Sequence, residues 1–527
     1  MKDFESRVVH VVKTCPKRLK VAVLSTFIFG LIAHMFVYTN PLLVRDSASI
    51  YQNTMILSNF QGGRWLAMFL QAMMGGLSMP WLIGLFTLSA MSAAAYLVVK
   101  ALDIERTVPV VIVAALMVAY PSITASHAYL SSVFVYAISL ALASAAAVQI
   151  KRESIPGYAL GMLFMILSLG CYQAYVSFTA CLLVLIALRK LLSESDFSFK
   201  MWWTIIKMIL VFVAGVLVYY FGTVLLNRML GLSFGTAGYA GQEHIGDYAS
   251  VGIGSLLKTT YSLAFKYYCD LPYPTYLPLP ILIVFWIGMA AAIITSIRMM
   301  AQPGKNQLWR IITVVGASLF LPLTMNFVKL FDIGQPAYPH ALMTFAFITP
   351  WILMILINEI SGEQMNKAPK TEKNLKFRQY ISWLLLLPAV IYSLFGVYIA
   401  NVSYIKMSVN YESGLAITNR VIARIESTPG YKPGETEVVI IGLPKTNVFG
   451  YDTVGGFDVT ENITGVEESP FASWADFTTY AEQELQTPIN FGSIGDYVGL
   501  DEVKAMEAYP SLDCIKWIDG VLVVKLS

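Results

Sequence analysis

Apolar runs long enough to cross a lipid bilayer recur from Val21 to about Met407, and this recurrence limits the chain to one class of fold. A helix needs about 20 mostly apolar residues to cross about 30 Å of hydrocarbon, with every backbone polar group satisfied inside the segment. Candidate spans lie at roughly 21–39, 79–101, 107–121, 130–149, 157–171, 172–190, 203–226, 276–297, 309–328, 338–357 and 380–403, about eleven in all. Composition agrees. The chain is 57% hydrophobic and 13% charged, with mean hydropathy +0.63, whereas soluble domains carry charge at about one residue in four.

Orientation follows from Lys and Arg in the short connections. The start is strongly basic (Lys2, Arg7, Lys13, Lys17, Arg18, Lys20). Placing residues 1–20 in the cytoplasm puts Lys100 with Arg106, Lys151 with Arg152, Arg189 with Lys190, Arg298 with Lys305 and Arg310, and the Lys367 to Arg378 run on the same side. An odd span count then leaves the C-terminus outside. The first apolar run lacks a small-residue cleavage site, so a retained signal anchor is expected. These basic residues are accounted for by topology, and the net charge of +3 gives no support for nucleic-acid binding. Five cysteines show no metal-ligand spacing, and only Cys269 and Cys514 fall on the outer side; a disulfide between them is the less expected state.

The spans 21–407 leave three outer loops of interest, 40–78, 227–275 and 329–340. In the first, Arg45-Asp46-Ser-Ala-Ser-Ile-Tyr51 is followed by Gly62-Gly63-Arg64-Trp65. From Trp65 to Met74 the apolar spacing is helical but too short to span, which predicts a helix lying in the interface with Arg64 at its N-terminus, where backbone N–H groups also favour an anion. The second loop carries Glu243, His244 and Asp247 among glycines, then an amphipathic run from Ile253 to Tyr268 with Lys258 and Lys266. The third holds Lys329, Asp332, Gln335 and His340; Lys329 can equally snorkel to lipid headgroups.

After Met407 the composition changes to that of a soluble domain. A helical pattern through Leu415, Ile417, Val421, Ile422 and Ile425 leads to a buried strand at Glu437 to Leu443, and a second helix is expected near Trp474 to Leu485. Alternation on both sides of Asp519-Gly520 signals a hairpin. Residues 408–527 therefore read as a small α+β extracytoplasmic domain with a supporting or binding role.

No nucleotide-binding signature is present. The roomy mixed-charge surface is extracytoplasmic, where nucleotide sugars are not ordinarily supplied, so chemistry there needs a donor already carried through the membrane; a polyprenyl-phosphate sugar meets that need. An acceptor hydroxyl attacking its anomeric carbon requires one general base, for which Asp46 is placed. The leaving phosphate is stable as an anion and needs cationic donors rather than an acid. Arg64 and Arg45 are nearest in sequence, and Arg228, Lys266, Lys329 and His340 can join from other outer loops. A single base without a nucleophilic carboxylate gives inversion. Gln173 and Tyr172, with Tyr175, lie at an outer turn where they can bind a sugar or satisfy one another; Glu243, His244 and Asp247 are further substrate-binding candidates. His34, inside the first span, reads as a neutral histidine bonded to a neighbouring helix, with a proton relay as the alternative. No cofactor or obligatory metal is expected, although Asp46, Glu243, His244 and Asp247 are groups that a fold could gather around a divalent ion.

An acidic residue shortly after the first span, within Asn40-Pro-Leu-Leu-Val-Arg-Asp46, then Gly63-Arg64-Trp65 opening a short helix, and the later Gly170-Cys-Tyr172-Gln173 turn, resemble the bacterial Gtr-type class II, O-antigen-modifying glucosyltransferases. That resemblance implies the GT-C architecture, a multi-pass location in a bacterial plasma membrane, and transfer of glucose or a related hexose from a polyprenyl-phosphate carrier to a cell-envelope glycan. It also implies that Asp46 is the catalytic acid residue of the first outer loop. Many members have two adjacent acidic residues there, whereas this chain has Arg45-Asp46, so Glu243 or Asp247 is a candidate assistant. The competing readings are a flippase or polymerase of polyprenyl-linked glycans, and a non-catalytic membrane scaffold; few mid-span charges argue against transport.

Overall fold

The computed structural model describes residues 13–42, 60–75, 77–232, 252–269, 278–330, 341–367, 372–443, 480–482 and 485–527, with isolated positions at 6, 10, 460, 463 and 466. Ten helices among them are long and apolar enough to cross a membrane, and an eleventh apolar helix, Ile155–Cys171, is shorter. The helices are α1 (Lys17–Thr39), α2 (Trp65–Ala72), α3 (Pro80–Ala101), α4 (Thr107–Ala119), α5 (Pro121–Ser126), α6 (Leu130–Ile150), α7 (Ile155–Cys171) and α8 (Val176–Ser193). They continue with α9 (Phe199–Met229), α10 (Ile253–Cys269), α11 (Leu279–Met300), α12 (Gln307–Met325), α13 (Thr349–Lys367) and α14 (Glu372–Glu426). The sequence expectation of a mainly helical, polytopic protein with a small α+β end therefore holds.

Two details differ from the sequence expectation. Tyr120 leaves the helical conformation (ψ 136°) just before Pro121, dividing the third span into α4 and α5, as expected for a residue preceding proline. The last span does not stop at the composition change: α14 runs unbroken past Met407 to Glu426. Its final turns supply Ile417, Val421, Ile422 and Ile425 to the core of the C-terminal unit, beside Val438, Ile440, Leu522 and Val524. Gly396 lets α14 press on the carbonyl of Ala119, where α4 breaks; an added Cβ would collide with that oxygen.

Hydrophobic packing between α1, α3, α4, α6, α8, α13 and α14 forms one continuous core. One end of the bundle is held together by ion pairs. Glu359, 2% exposed, accepts from Arg106 Nε at 2.8 Å and from the backbone N–H groups of Glu105 and Arg106 at 2.9 and 3.2 Å, so it caps α4 from another helix. Asp103 pairs with Lys151 and Arg189, Arg189 with Glu363, and Glu153 with Lys190. Arg310, at the same end, donates to the carbonyls of Glu194, Ser195, Met299, Met300 and Gln302. Arg106, Lys151, Arg189, Lys190 and Arg310, all from short connections, thus have acidic or carbonyl partners there.

The C-terminal unit is a four-stranded sheet in the order β2-β1-β4-β3. β1 (Glu437–Ile441) pairs in parallel with β2 (Asn490–Phe491) and with β4 (Val521–Lys525). β3 (Ile515–Ile518) and β4 form the expected antiparallel hairpin around Asp519 and Gly520, both at positive φ. The predicted helix near 474–485 lies largely outside the described residues, with Tyr480 to Glu482 helical. Of the two outer-side cysteines, Cys269 is exposed and Cys514 is buried.

Candidate functional site

The end of the bundle opposite the ionic network holds a turn fixed by an unusual concentration of hydrogen bonds. The predicted short helix after Arg64 is present as α2, with Arg64 as its N-cap residue. Before it, Gly63 adopts φ 79°, a conformation that glycine enters without a Cβ penalty, and its N–H bonds the Phe60 carbonyl at 2.9 Å. A side chain at Gly63 would have to accept that strained backbone, so the Gly-Arg pair is a local necessity for presenting Arg64 at the head of the helix.

Gln173 anchors the turn from the junction between α7 and α8. Its Nε2 donates to the Gly62 carbonyl at 2.6 Å and to the Tyr219 hydroxyl at 3.0 Å, and its Oε1 accepts from Arg64 Nε at 3.3 Å. Both amide hydrogens are therefore engaged within the protein. The Tyr219 hydroxyl in turn donates to the Gly63 carbonyl at 2.9 Å. The Arg64 guanidinium lies 5.2 Å from the ring centre of Tyr172, a cation–π distance, and the Tyr172 ring packs against Tyr136 with centres 4.5 Å apart and planes tilted by 46°. Gly170 makes room for the Trp65 indole, whose Cε2 would stand 2.7 Å from an added Cβ. With Nε held by Gln173, the two terminal nitrogens form the part of the guanidinium fork not engaged by this clamp.

Of the residues singled out from sequence, Arg64, Gln173 and Tyr172 thus come together. Lys329 is buried in the 3₁₀ turn Phe327–Leu330. That turn is tied to the same region because the Val328 N–H donates at 3.1 Å to Ser177 Oγ, in the first turn of α8 and four residues after Gln173. Lys266 sits on α10 beside Tyr267 and Tyr268, whose rings pack on Phe347 and Phe285 at 4.7 Å each. The Asn326 amide reaches the Thr260 carbonyl of α10 at 3.4 Å, joining α10 to the Lys329 turn. Arg45, Asp46, Glu243, His244, Asp247 and His340 lie outside the described residues. Among the described residues no group of three His, Cys, Asp or Glu side chains is arranged to hold a metal.

Tyr219 was missed by sequence reasoning. Its signal was available: on the largely exposed α9, buried positions recur at Met208, Phe212, Gly215, Tyr219, Thr223 and Asn227, and a tyrosine within such a stripe needs a hydroxyl partner. His127 was missed as well. It stacks on His34 at 4.5 Å. His34 donates from Nε2 to the Val118 carbonyl at 2.8 Å and accepts at Nδ1 from Tyr404 at 2.7 Å. His127 donates from Nδ1 to Ile123 at 2.7 Å and accepts at Nε2 from Tyr38 at 3.0 Å. Every ring nitrogen is satisfied by a neutral partner, the arrangement expected of a neutral histidine bonded to neighbouring helices.

Comparison with known proteins adds one finding. The family described as Glucosyl transferase GtrII matches residues 35–351, well over half of the chain and including α2, the Gln173 junction, Tyr219 and Lys329. No curated protein and no solved structure matches.

Proposed function

The chain belongs to the glucosyl transferase GtrII family, and from that premise we propose that it transfers glucose or a related hexose from a polyprenyl-phosphate donor to a cell-envelope glycan on the extracytoplasmic face. The observation that supports this reading best is the clamped Arg64. A planar cation is held at a helix N-terminus, at the end of the bundle away from the ionic network, where the two fields add in favour of an anion.

In this mechanism Asp46 takes the proton of the acceptor hydroxyl as its oxygen bonds the anomeric carbon. The bond from that carbon to the phosphate oxygen breaks on the opposite side, and its electron pair leaves with the polyprenyl phosphate. Arg64 neutralises the charge growing on the leaving phosphate, with Arg45, Lys266, Lys329 and His340 as the further cationic set. Gln173 and Tyr219 fix Arg64 before substrate arrives, so little reorganisation accompanies the charge transfer. Tyr172, Glu243, His244 and Asp247 complete the substrate-binding set. One displacement inverts the anomeric centre.

Incubation of membranes containing the protein with a polyprenyl-phosphate hexose labelled in the sugar tests this directly. Label is expected in an envelope glycan with the anomeric configuration opposite to that of the donor, and not from a nucleotide sugar. Retention of configuration, or transfer from the nucleotide sugar alone, would sink the mechanism.

A further inference from the structure

A lateral groove of about 420 Å³ opens between α8, α9 and α12 and is almost wholly apolar. Its lining includes the small residues Ala180, Ala187, Gly316 and Ala317 and the aromatic Phe212 and Phe320. An added Cβ at Gly316 would meet no atom within 4 Å, so this glycine faces open space. We infer that the groove seats the isoprenoid chain of a polyprenyl phosphate whose phosphate lies at Arg64. This rests on the donor reading above and adds where the lipid part of the donor is held.

Two features of the groove favour that occupant. The first is its position under the cations. Ala180 on α8 is seven residues from Gln173, and Phe212 on α9 is seven residues from Tyr219. The α9 separation is about 10.5 Å along the helix axis, and the 3₁₀ turn Gln173–Tyr175 with the start of α8 covers about 12 Å, so two independent segments place the clamped Arg64 roughly two turns above the groove. The groove also ends at Phe327, two residues before the buried Lys329. A lipid lying in it meets positive charge where a phosphate head would emerge.

The second feature is length. Along α12 the lining runs from Ile312 to Thr324, about 18 Å of axial rise, and on α9 it continues down to Trp202, near the ionic end. This exceeds half of an apolar thickness of about 30 Å. An acyl chain confined to its own leaflet does not fill such a groove, whereas a polyprenyl chain reaches past the midplane. In lipid, apolar transfer supplies no driving force because the surrounding tails are equally apolar; selection rests on packing.

The test uses the full chain in nanodiscs and a polyprenyl phosphate carrying a photoactivatable group along its tail. Labelling is expected on peptides of α9 and α12, suppressed by unlabelled polyprenyl phosphate and not by phosphatidylglycerol, and reduced about tenfold by Gly316→Leu. That variant fills the groove while replacing glycine with a better helix former, and an unchanged thermal unfolding midpoint shows that it is folded. Labelling elsewhere, equal competition by phosphatidylglycerol, or no effect of Gly316→Leu would overturn the inference and leave the groove to ordinary membrane lipid. Groove labelling without hexose transfer would uphold the inference while removing the transferase reading; transfer without groove labelling would do the reverse.

Discussion

Replacing Arg64 with alanine is expected to lower hexose transfer by about 100- to 1,000-fold, the range found when a preorganised donor to a developing anion is removed. The loss should fall mainly on kcat, because the charge Arg64 meets is greatest as the phosphate departs. Arg64→Lys keeps the charge but loses both the Nε contact with Gln173 and the planar fork, so it should remain at least tenfold below wild type. Tyr219→Phe removes one hydroxyl shared between Gln173 and Gly63. If that hydroxyl acts through Arg64, its effect disappears in the Arg64→Ala background, as coupled residues do in a double-mutant cycle. Equal kinetics of Arg64→Ala and wild type would remove Arg64 from the mechanism.

At the opposite end, Glu359→Ala is expected to destabilise the folded protein by about 3 kcal/mol, measured as a lowered unfolding midpoint in detergent. The carboxylate is nearly inaccessible and satisfies three donors, one of them a guanidinium; removing it leaves the Arg106 guanidinium with the Asn358 carbonyl but no counter-charge, and the start of α4 uncapped. Glu359→Gln retains an acceptor for the backbone N–H groups and should lose less. The substitution is far from Arg64, so transfer per folded molecule should be unchanged. An unfolding midpoint equal to wild type in Glu359→Ala would show that water replaces the carboxylate at no cost.

Much of this architecture was legible in the sequence because lipid imposes a length on every crossing segment. The spans written as 130–149 and 172–190 correspond closely to α6 and to the helical stretch from Gln173 to Ser193. The Asp519-Gly520 hairpin and the short helix after Arg64 were equally readable, one from turn chemistry and one from an apolar period that stops at glycine. The end of the last span was not. Composition reports what surrounds a residue and not whether the backbone bends there, so the polar turn after Met407 looked like a boundary although α14 continues through it. Parallel pairing of β1 with both β2 and β4 was also invisible, since a two-residue strand such as Asn490–Phe491 carries no periodicity.

The site shows the same division. Arg64 and Gln173 are 109 positions apart in the chain, and each drew attention separately as a polar group beside an apolar span. Their contact, and the part played by Tyr219, depend on how α7, α8 and α9 meet, which no local pattern encodes. His34 was read correctly from a general cost: a histidine in lipid must be satisfied, and both of its nitrogens are. Its stacking partner His127, beyond the Tyr120 break, was hidden by the same long-range packing.

In the proposed mechanism the first outer loop carries out sugar transfer from a lipid-linked donor with Asp46 as base. This is tested most directly by following transfer from a labelled polyprenyl-phosphate hexose in membranes containing wild type or Asp46→Asn at matched expression, with donor binding measured in parallel. Asp46→Asn is expected to bind the donor as wild type does and to transfer at least about 100-fold more slowly, the lower part of the range for a positioned base. Equal transfer by both proteins would contradict it.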